Sequence, residues 1–134
     1  MILPKSSLKK LDTVKPILRD LIIKVAEISE IGFIVTEGIR TRERQLELFK
    51  ARKSQTMNSR HLTGDAVDLA VWMDYDEDKV VGVNELSWKF PDYKLLADKV
   101  KEVSKEMGIA IIWGGDWRVL RDGPHFELDR KEYS

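Results

Sequence analysis

Apolar positions recur at helical spacing in the first quarter of the chain, where Leu18, Leu21, Ile22, Val25 and Ile28 fall three and four residues apart. Pro16 suits the first turn of that helix, because its missing N–H would have no partner there anyway. Asp12 or Thr13 stands where a cap is expected, and Gly32 is the expected stop. Phe33 to Thr36 is a short β-rich run. A second helix is predicted from Thr41 to near Lys53, with Leu46 and Phe49 on its inner face. Ser54 to Gly64 is polar and reads as loop, and Ala66 to Trp72 as a strand. Asp74 to Asn84 reads as an acidic loop or hairpin. Leu95, Val100, Val103 and Met107 mark a third helix ending at Gly108, followed by a strand from Ile109 to Trp113. After a Gly-rich turn, His125 to Leu128 is the last strand. Irregular alternation of helices and strands, with short hairpin-like connections near the C-terminus, predicts an α+β fold: a small, largely antiparallel sheet with helices packed on it. No repeat, low-complexity run or Gly/Ser/Pro-rich linker divides the 134 residues, so a single domain over 1–134 is expected.

Alternation along the strands brings in the chemistry. From Ala66, the residues Val67, Leu69 and Val71 share one face, and Ala66, Asp68 and Ala70 share the other. An acid flanked by two alanines is a carboxylate with open space before it. His61 lies just upstream, across a turn that Gly64 permits. In the last strand, Phe126 and Leu128 face one way, His125 and Glu127 the other. These are the only two histidines in the chain. Two imidazoles and one carboxylate suit a catalytic zinc site, since three protein ligands leave a fourth position for water, whose pKa zinc lowers to about 7. A closed structural site would normally use cysteines, and there are none. Asp122, in Arg121-Asp122-Gly123-Pro124-His125, is the candidate base, turned toward the same cavity by the Gly-Pro pair. Arg40, in Glu37-Gly38-Ile39-Arg40-Thr41, follows a strand and a glycine and is the candidate donor to the attacked carbonyl oxygen.

Composition narrows the partners. Lys plus Arg and Asp plus Glu are both 23, so the formal net charge is zero and the basic excess of a nucleic-acid binder is missing. The basic run from Arg40 to Lys53 is interrupted by Glu43 and Glu47 and reads as a solvated helix face. No apolar run approaches membrane-span length, and the first residues lack a secretory pattern. Asp74, Asp76, Glu77 and Asp78 lack the glycine and closing Glu of a helix-loop-helix calcium site.

The quoted residues resemble the LAS group of zinc peptidases, which includes D-alanyl-D-alanine peptidases and the L-alanyl-D-glutamate endopeptidases used as phage endolysins. The group's pattern S-x-H-x-x-G-x-A-x-D appears as Ser59, His61, Gly64, Ala66 and Asp68, followed downstream by Asp122 and His125. At about one in twenty per position, five fixed positions coincide by chance about once per few million windows. Pro124-His125-Phe126-Glu127, Gly38-Ile39-Arg40-Thr41 and Trp113-Gly114-Gly115-Asp116-Trp117 extend the resemblance over nearly the whole chain. It implies that His61, Asp68 and His125 bind zinc, that Asp122 is the base, and that Arg40 binds or polarises the substrate carbonyl. It also places Ser59 and Asp116 in or near the substrate cleft. Asp rather than Glu at the base position, and the Trp-Gly-Gly-Asp-Trp segment, resemble the L-alanyl-D-glutamate endopeptidase branch.

The implied protein is a monomeric endolysin acting on peptidoglycan stem peptides, held in the host cytoplasm without a signal peptide until release, with no nucleic-acid partner and no stable membrane association. Two alternatives stand beside it. One is a D-alanyl-D-alanine carboxypeptidase or dipeptidase. The other is a non-catalytic zinc-bearing binding module, as in the hedgehog signalling proteins that resemble this fold, against which Asp122 argues. Glu127 either orients His125 or pairs with a surface cation, and Trp113 and Trp117 are either core or cleft wall.

Overall fold

A computed structural model describes residues 2–54, 57, 59–73, 85–119 and 121–133. Among the described residues, four helices, α1 (Lys5–Leu11), α2 (Pro16–Ile28), α3 (Arg42–Lys50) and α4 (Phe90–Met107), accompany five strands. The strands are β1 (Gly32–Glu37), β2 (Ala66–Trp72), β3 (Leu86–Ser87), β4 (Ile111–Trp113) and β5 (His125–Leu128). All pairings are antiparallel, in the order β1-β2-β5-β4, with β3 pairing the far end of β2. The fold is therefore α+β, as the patterning predicts.

Alternation sorts the sheet into two faces. Val67, Leu69 and Val71 of β2 are fully buried, together with Phe33, Val35, Phe126 and Leu128. Onto this face pack Leu18, Leu21, Ile22 and Val25 of α2 and Leu96, Val100 and Val103 of α4, forming one continuous core. Each large apolar side chain so buried contributes about 1.5–3 kcal/mol. Trp113 belongs to this core, and its indole N–H donates to the Gly123 carbonyl at 2.7 Å. The opposite face carries Asp68, His125 and Glu127 and is left open enough to form a cleft.

Several local expectations need correction. Helix α1 carries no periodic signal long enough to announce it, and it packs on β1 with Ser7 donating no core area but accepting the Val35 N–H at 2.9 Å. Neither Asp12 nor Thr13 caps α2; its N-cap is Lys15, without a side-chain bond. The helix stops at Ile28 through an extended Ser29, and Gly32 already lies in β1. In α3, Leu46 and Phe49 are 40% and 42% exposed, and Gln45 is the fully buried residue. In α4, Leu95 and Met107 face solvent while Leu96, Ala97 and Ser104 turn inward. The α3 error has a local cause: in a short, polar helix a shift of one residue turns the inner face by about 100°. Helix α4 ends at Gly108 as expected, with Val100 and Val103 buried. The polar stretch before Gly64 contains a 3₁₀ turn, Arg60–Thr63. Strand β4 begins at Ile111, two residues later than expected. The acidic stretch 74–84 lies outside the described residues.

Candidate metal centre

The site grows from one row of the sheet. Glu37 of β1, Asp68 of β2 and His125 of β5 are consecutive cross-strand neighbours, so their side chains leave the same face side by side. His61 joins them from the 3₁₀ turn. Ser59 caps that turn by accepting the His61 N–H at 3.2 Å, and Gly64 closes it at φ +76°, a left-handed conformation that glycine adopts without strain.

Three donor atoms converge. His61 Nε2 lies 3.1 Å from Asp68 Oδ1 and 3.2 Å from His125 Nδ1, and the latter is 3.3 Å from Asp68 Oδ1. The outward nitrogens are already committed. His61 Nδ1 faces the Gly38 carbonyl at 2.9 Å, and His125 Nε2 faces Glu127 Oε1 at 2.8 Å. Both partners only accept, so both outer nitrogens carry hydrogen and both inner nitrogens present lone pairs in the neutral rings. Two lone pairs and a carboxylate oxygen pointed at one another call for a cation between them. Arms of 2.0–2.1 Å in a tetrahedron put ligand atoms roughly 3.3 Å apart, the spacing seen here. His61, Asp68 and His125 thus form a group able to hold a metal ion.

Burial opposes charge on Asp68, but hydrogen bonds from His125 and His61, together with their charge, hold its carboxyl far below the usual carboxylate range. Burial likewise opposes charge on His125, yet its bonds to Asp68 and Glu127 raise its pKa to about 9.

Asp122 reaches the same cleft from the turn before β5, where its carbonyl accepts the His125 N–H at 3.1 Å. Burial and the nearby Asp68 charge push its carboxyl pKa up, against the pull of His125, His61 and Arg40. Gly114 makes the turn possible: a Cβ there would run into the Asp122 carbonyl oxygen and stand 3.0 Å from the His125 Cβ. Arg40 lies on the other side. Its Nε and Nη2 donate to the two Glu37 oxygens at 2.6 and 2.8 Å, and its Nη1 donates to Gln45 Oε1 at 2.7 Å. Burial works against its charge, but Glu37 and then Asp68 and Asp122 outweigh burial and raise its pKa.

The cleft in front of the cluster encloses about 650 Å³ and is lined by Arg40, Ser59, Asp122 and the three donors, with Trp117 as a wall. The Trp117 ring lies 5.0 Å from that of His125. Asp116 is different: it is 55% exposed, pairs with Lys101 at 2.6 Å, and is not among the cleft-lining residues. The 3₁₀ turn at Gly114–Asp116 directs it outward. Glu127 does contact His125, with Arg130 3.8 Å from its second oxygen. The sequence reading missed the partners of Arg40. Glu37 stood inside a quoted motif without a role, and Gln45 on a polar helix carries no signal at all.

A model of the phage L-alanyl-D-glutamate peptidase family matches residues 1–133. The chain belongs to that family. The L-alanyl-D-glutamate peptidase of Escherichia phage T5 is 29% identical over 133 residues, covering 96% of this chain and 90% of the phage protein. The enzyme of the same name from Listeria phage A118 is 30% identical over 115 residues, which span 81% of this chain but 34% of that longer protein. Among solved structures, the L-Ala D-Glu endopeptidase ChiX of Serratia marcescens superposes with a TM-score of 0.84 at 37% identity, covering 98% of this chain and 93% of ChiX. Membership and architecture therefore agree over almost the full length of this chain.

Proposed function

We propose that this member of the family is a zinc-dependent endopeptidase that hydrolyses the L-alanyl-D-glutamate bond of bacterial peptidoglycan, as a phage or prophage lysis enzyme acting on the host cell wall as a monomer. The observation that carries the reading is the convergence of an open three-donor cluster, a carboxyl of raised pKa and a fixed guanidinium on one cleft. His61 Nε2, Asp68 Oδ1 and His125 Nδ1 are the atoms that would hold zinc. Zinc bound there supplies Lewis-acid activation of water and of the scissile carbonyl.

The chain's own groups do the rest. Gly38 and Glu127 hold the two imidazole tautomers, so that the metal-facing nitrogens stay free. Asp122 accepts the proton of the attacking water on a carboxylate oxygen. The same oxygen then returns it to the amine nitrogen as the C–N bond breaks, so one carboxyl serves both halves of the reaction. Its raised pKa makes the carboxylate a stronger base for taking that proton. Arg40 donates N–H bonds to the carbonyl oxygen as negative charge develops. Trp117 and the Ser59 turn wall the cleft and limit water around the reacting groups.

Mass spectrometry of fragments released from purified peptidoglycan tests the reading. The expected products are stem peptides with a new D-glutamate amino terminus. Release of free D-alanine would replace it with the carboxypeptidase alternative. Zinc-loaded protein that binds the wall and cuts nothing would make the chain a binding module.

A further inference from the structure

Two carboxylates compete for Arg40. Glu37 and Asp68 are cross-strand neighbours on the same sheet face. Glu37 takes the Nε/Nη2 edge of the guanidinium with both oxygens. Asp68 Oδ2 lies 3.7 Å from Nη2, within ion-pair range but too far for a hydrogen bond. The same edge would suit Asp68, because a guanidinium pairs two-pronged with any carboxylate it can face. Gln45 holds the opposite end. It is fully buried, accepts from Nη1, and donates its own amide N–H to Ser54 Oγ at 2.8 Å. Its Oε1 is therefore directed at Arg40 by the bond its Nε2 makes behind it.

We propose that Glu37 and Gln45 are positioning residues that fix Arg40 on the cleft wall and hold it off Asp68. This rests on the proposed role of Arg40 as donor to the substrate carbonyl. A guanidinium has five N–H groups. Three are engaged by Glu37 and Gln45, which leaves one on Nη1 and one on Nη2 for the substrate. The three-point clamp prevents rotation of the guanidinium plane, so those two N–H groups need no reorganisation when charge develops on the substrate oxygen. The clamp also protects the metal centre. Released from Glu37, the guanidinium can close the gap to Asp68, neutralise the carboxylate and place a positive charge beside the position of a second cation.

The second consequence gives a test that does not depend on catalysis. Zinc affinity, measured by competition with a chromophoric chelator, is expected to fall about tenfold in Glu37→Ala, the size of an outer-shell effect. Removing Arg40 as well, in the Glu37→Ala/Arg40→Ala double variant, should restore affinity to about the wild-type value, because the competing cation is gone. Equal weakening with and without Arg40, or no weakening at all, overturns the proposal. The catalytic arm uses Gln45→Met, which keeps volume and removes the acceptor. It should lower kcat by about ten- to a hundredfold, the range of a misdirected oxyanion donor, while KM moves far less. Gln45→Glu keeps the acceptor and should recover most of the loss. In an Arg40→Ala background, Gln45→Met should cost nothing further, since residues acting through one group are not additive. Multiplicative losses would show that Gln45 acts independently of Arg40 and sink the assignment. Wild-type protein that leaves peptidoglycan intact would remove the proposed function, and the zinc arm would still decide the clamp.

Discussion

Three side chains on one cleft have different proposed duties, and substitution separates them. In the proposed reading His125 is a metal donor and Asp122 a proton carrier that does not bind the metal. Asp122→Asn is expected to keep about one zinc per chain while peptidoglycan cleavage falls by about a hundredfold or more. His125→Ala should lose most of its zinc in the same buffer. Elemental analysis and fragment release, measured on both variants, decide the matter. Equal zinc loss in the two would make Asp122 a ligand. Arg40→Lys should recover only a small part of the activity lost in Arg40→Ala, because a point charge cannot meet both Glu37 oxygens and Gln45 together. A lysine variant as active as the parent would remove the planar fork from the argument.

Elements bring these side chains together through close backbone approaches. The end of β4 passes directly against the Asp122–His125 turn, and Gly114 has no room for a methyl group there. Gly114→Ala is accordingly expected to push the turn outward, costing about 1–3 kcal/mol of stability as an overpacked site does. Because the displaced turn carries both Asp122 and His125, zinc affinity and cleavage should fall with it. Thermal melts with and without zinc check this; a variant with unchanged melting and zinc affinity would show that the turn has slack. Gly38 is held in the same way against the Lys10 carbonyl and the Thr13 hydroxyl, which accepts the Ile39 N–H at 2.9 Å. The α1–α2 corner thereby buttresses the carbonyl that orients His61.

At the scale of the whole molecule, the three donor side chains and the fold share their stability. In metal-free protein His125 has its pKa raised to about 9, against roughly 6.5 for an unperturbed imidazole. A group raised on folding stabilises the fold fully below the unfolded value and loses that contribution as pH climbs through the folded one. Chelated protein should therefore melt at progressively lower temperature as the pH rises from about 6.5 to about 9. Asp68, held below the usual carboxylate range, contributes in the opposite sense and is lost only on strong acidification. Added zinc replaces the proton as the cation between the donors, so the loaded protein should melt higher and show a flatter profile across that window. Scanning calorimetry on both forms reads it. A chelated melting temperature that holds steady or rises over the same window would contradict the pairing of His125 with Asp68 and Glu127.

Local rules made much of this protein legible from its sequence. Period-two alternation separated Asp68 from Val67 and Leu69, and His125 from Phe126, because a strand leaves no other option once one face is apolar. Spacing and residue type marked His61, Gly64 and Asp122, since tight turns restrict which residues fit. Long-range partners were different in kind. Gln45 looks like any polar residue on a solvated helix, and only its docking beside Arg40 and Ser54 makes it buried and directed. Asp116 looks like part of the cleft in the sequence, and the turn that carries it points it to Lys101. The alignment of Glu37, Asp68 and His125 in one row depends on the register of three strands drawn from distant parts of the chain. Sequence determined which side chains share a face; tertiary packing decided which faces meet, because strand register and helix docking answer to contacts among residues far apart in the chain.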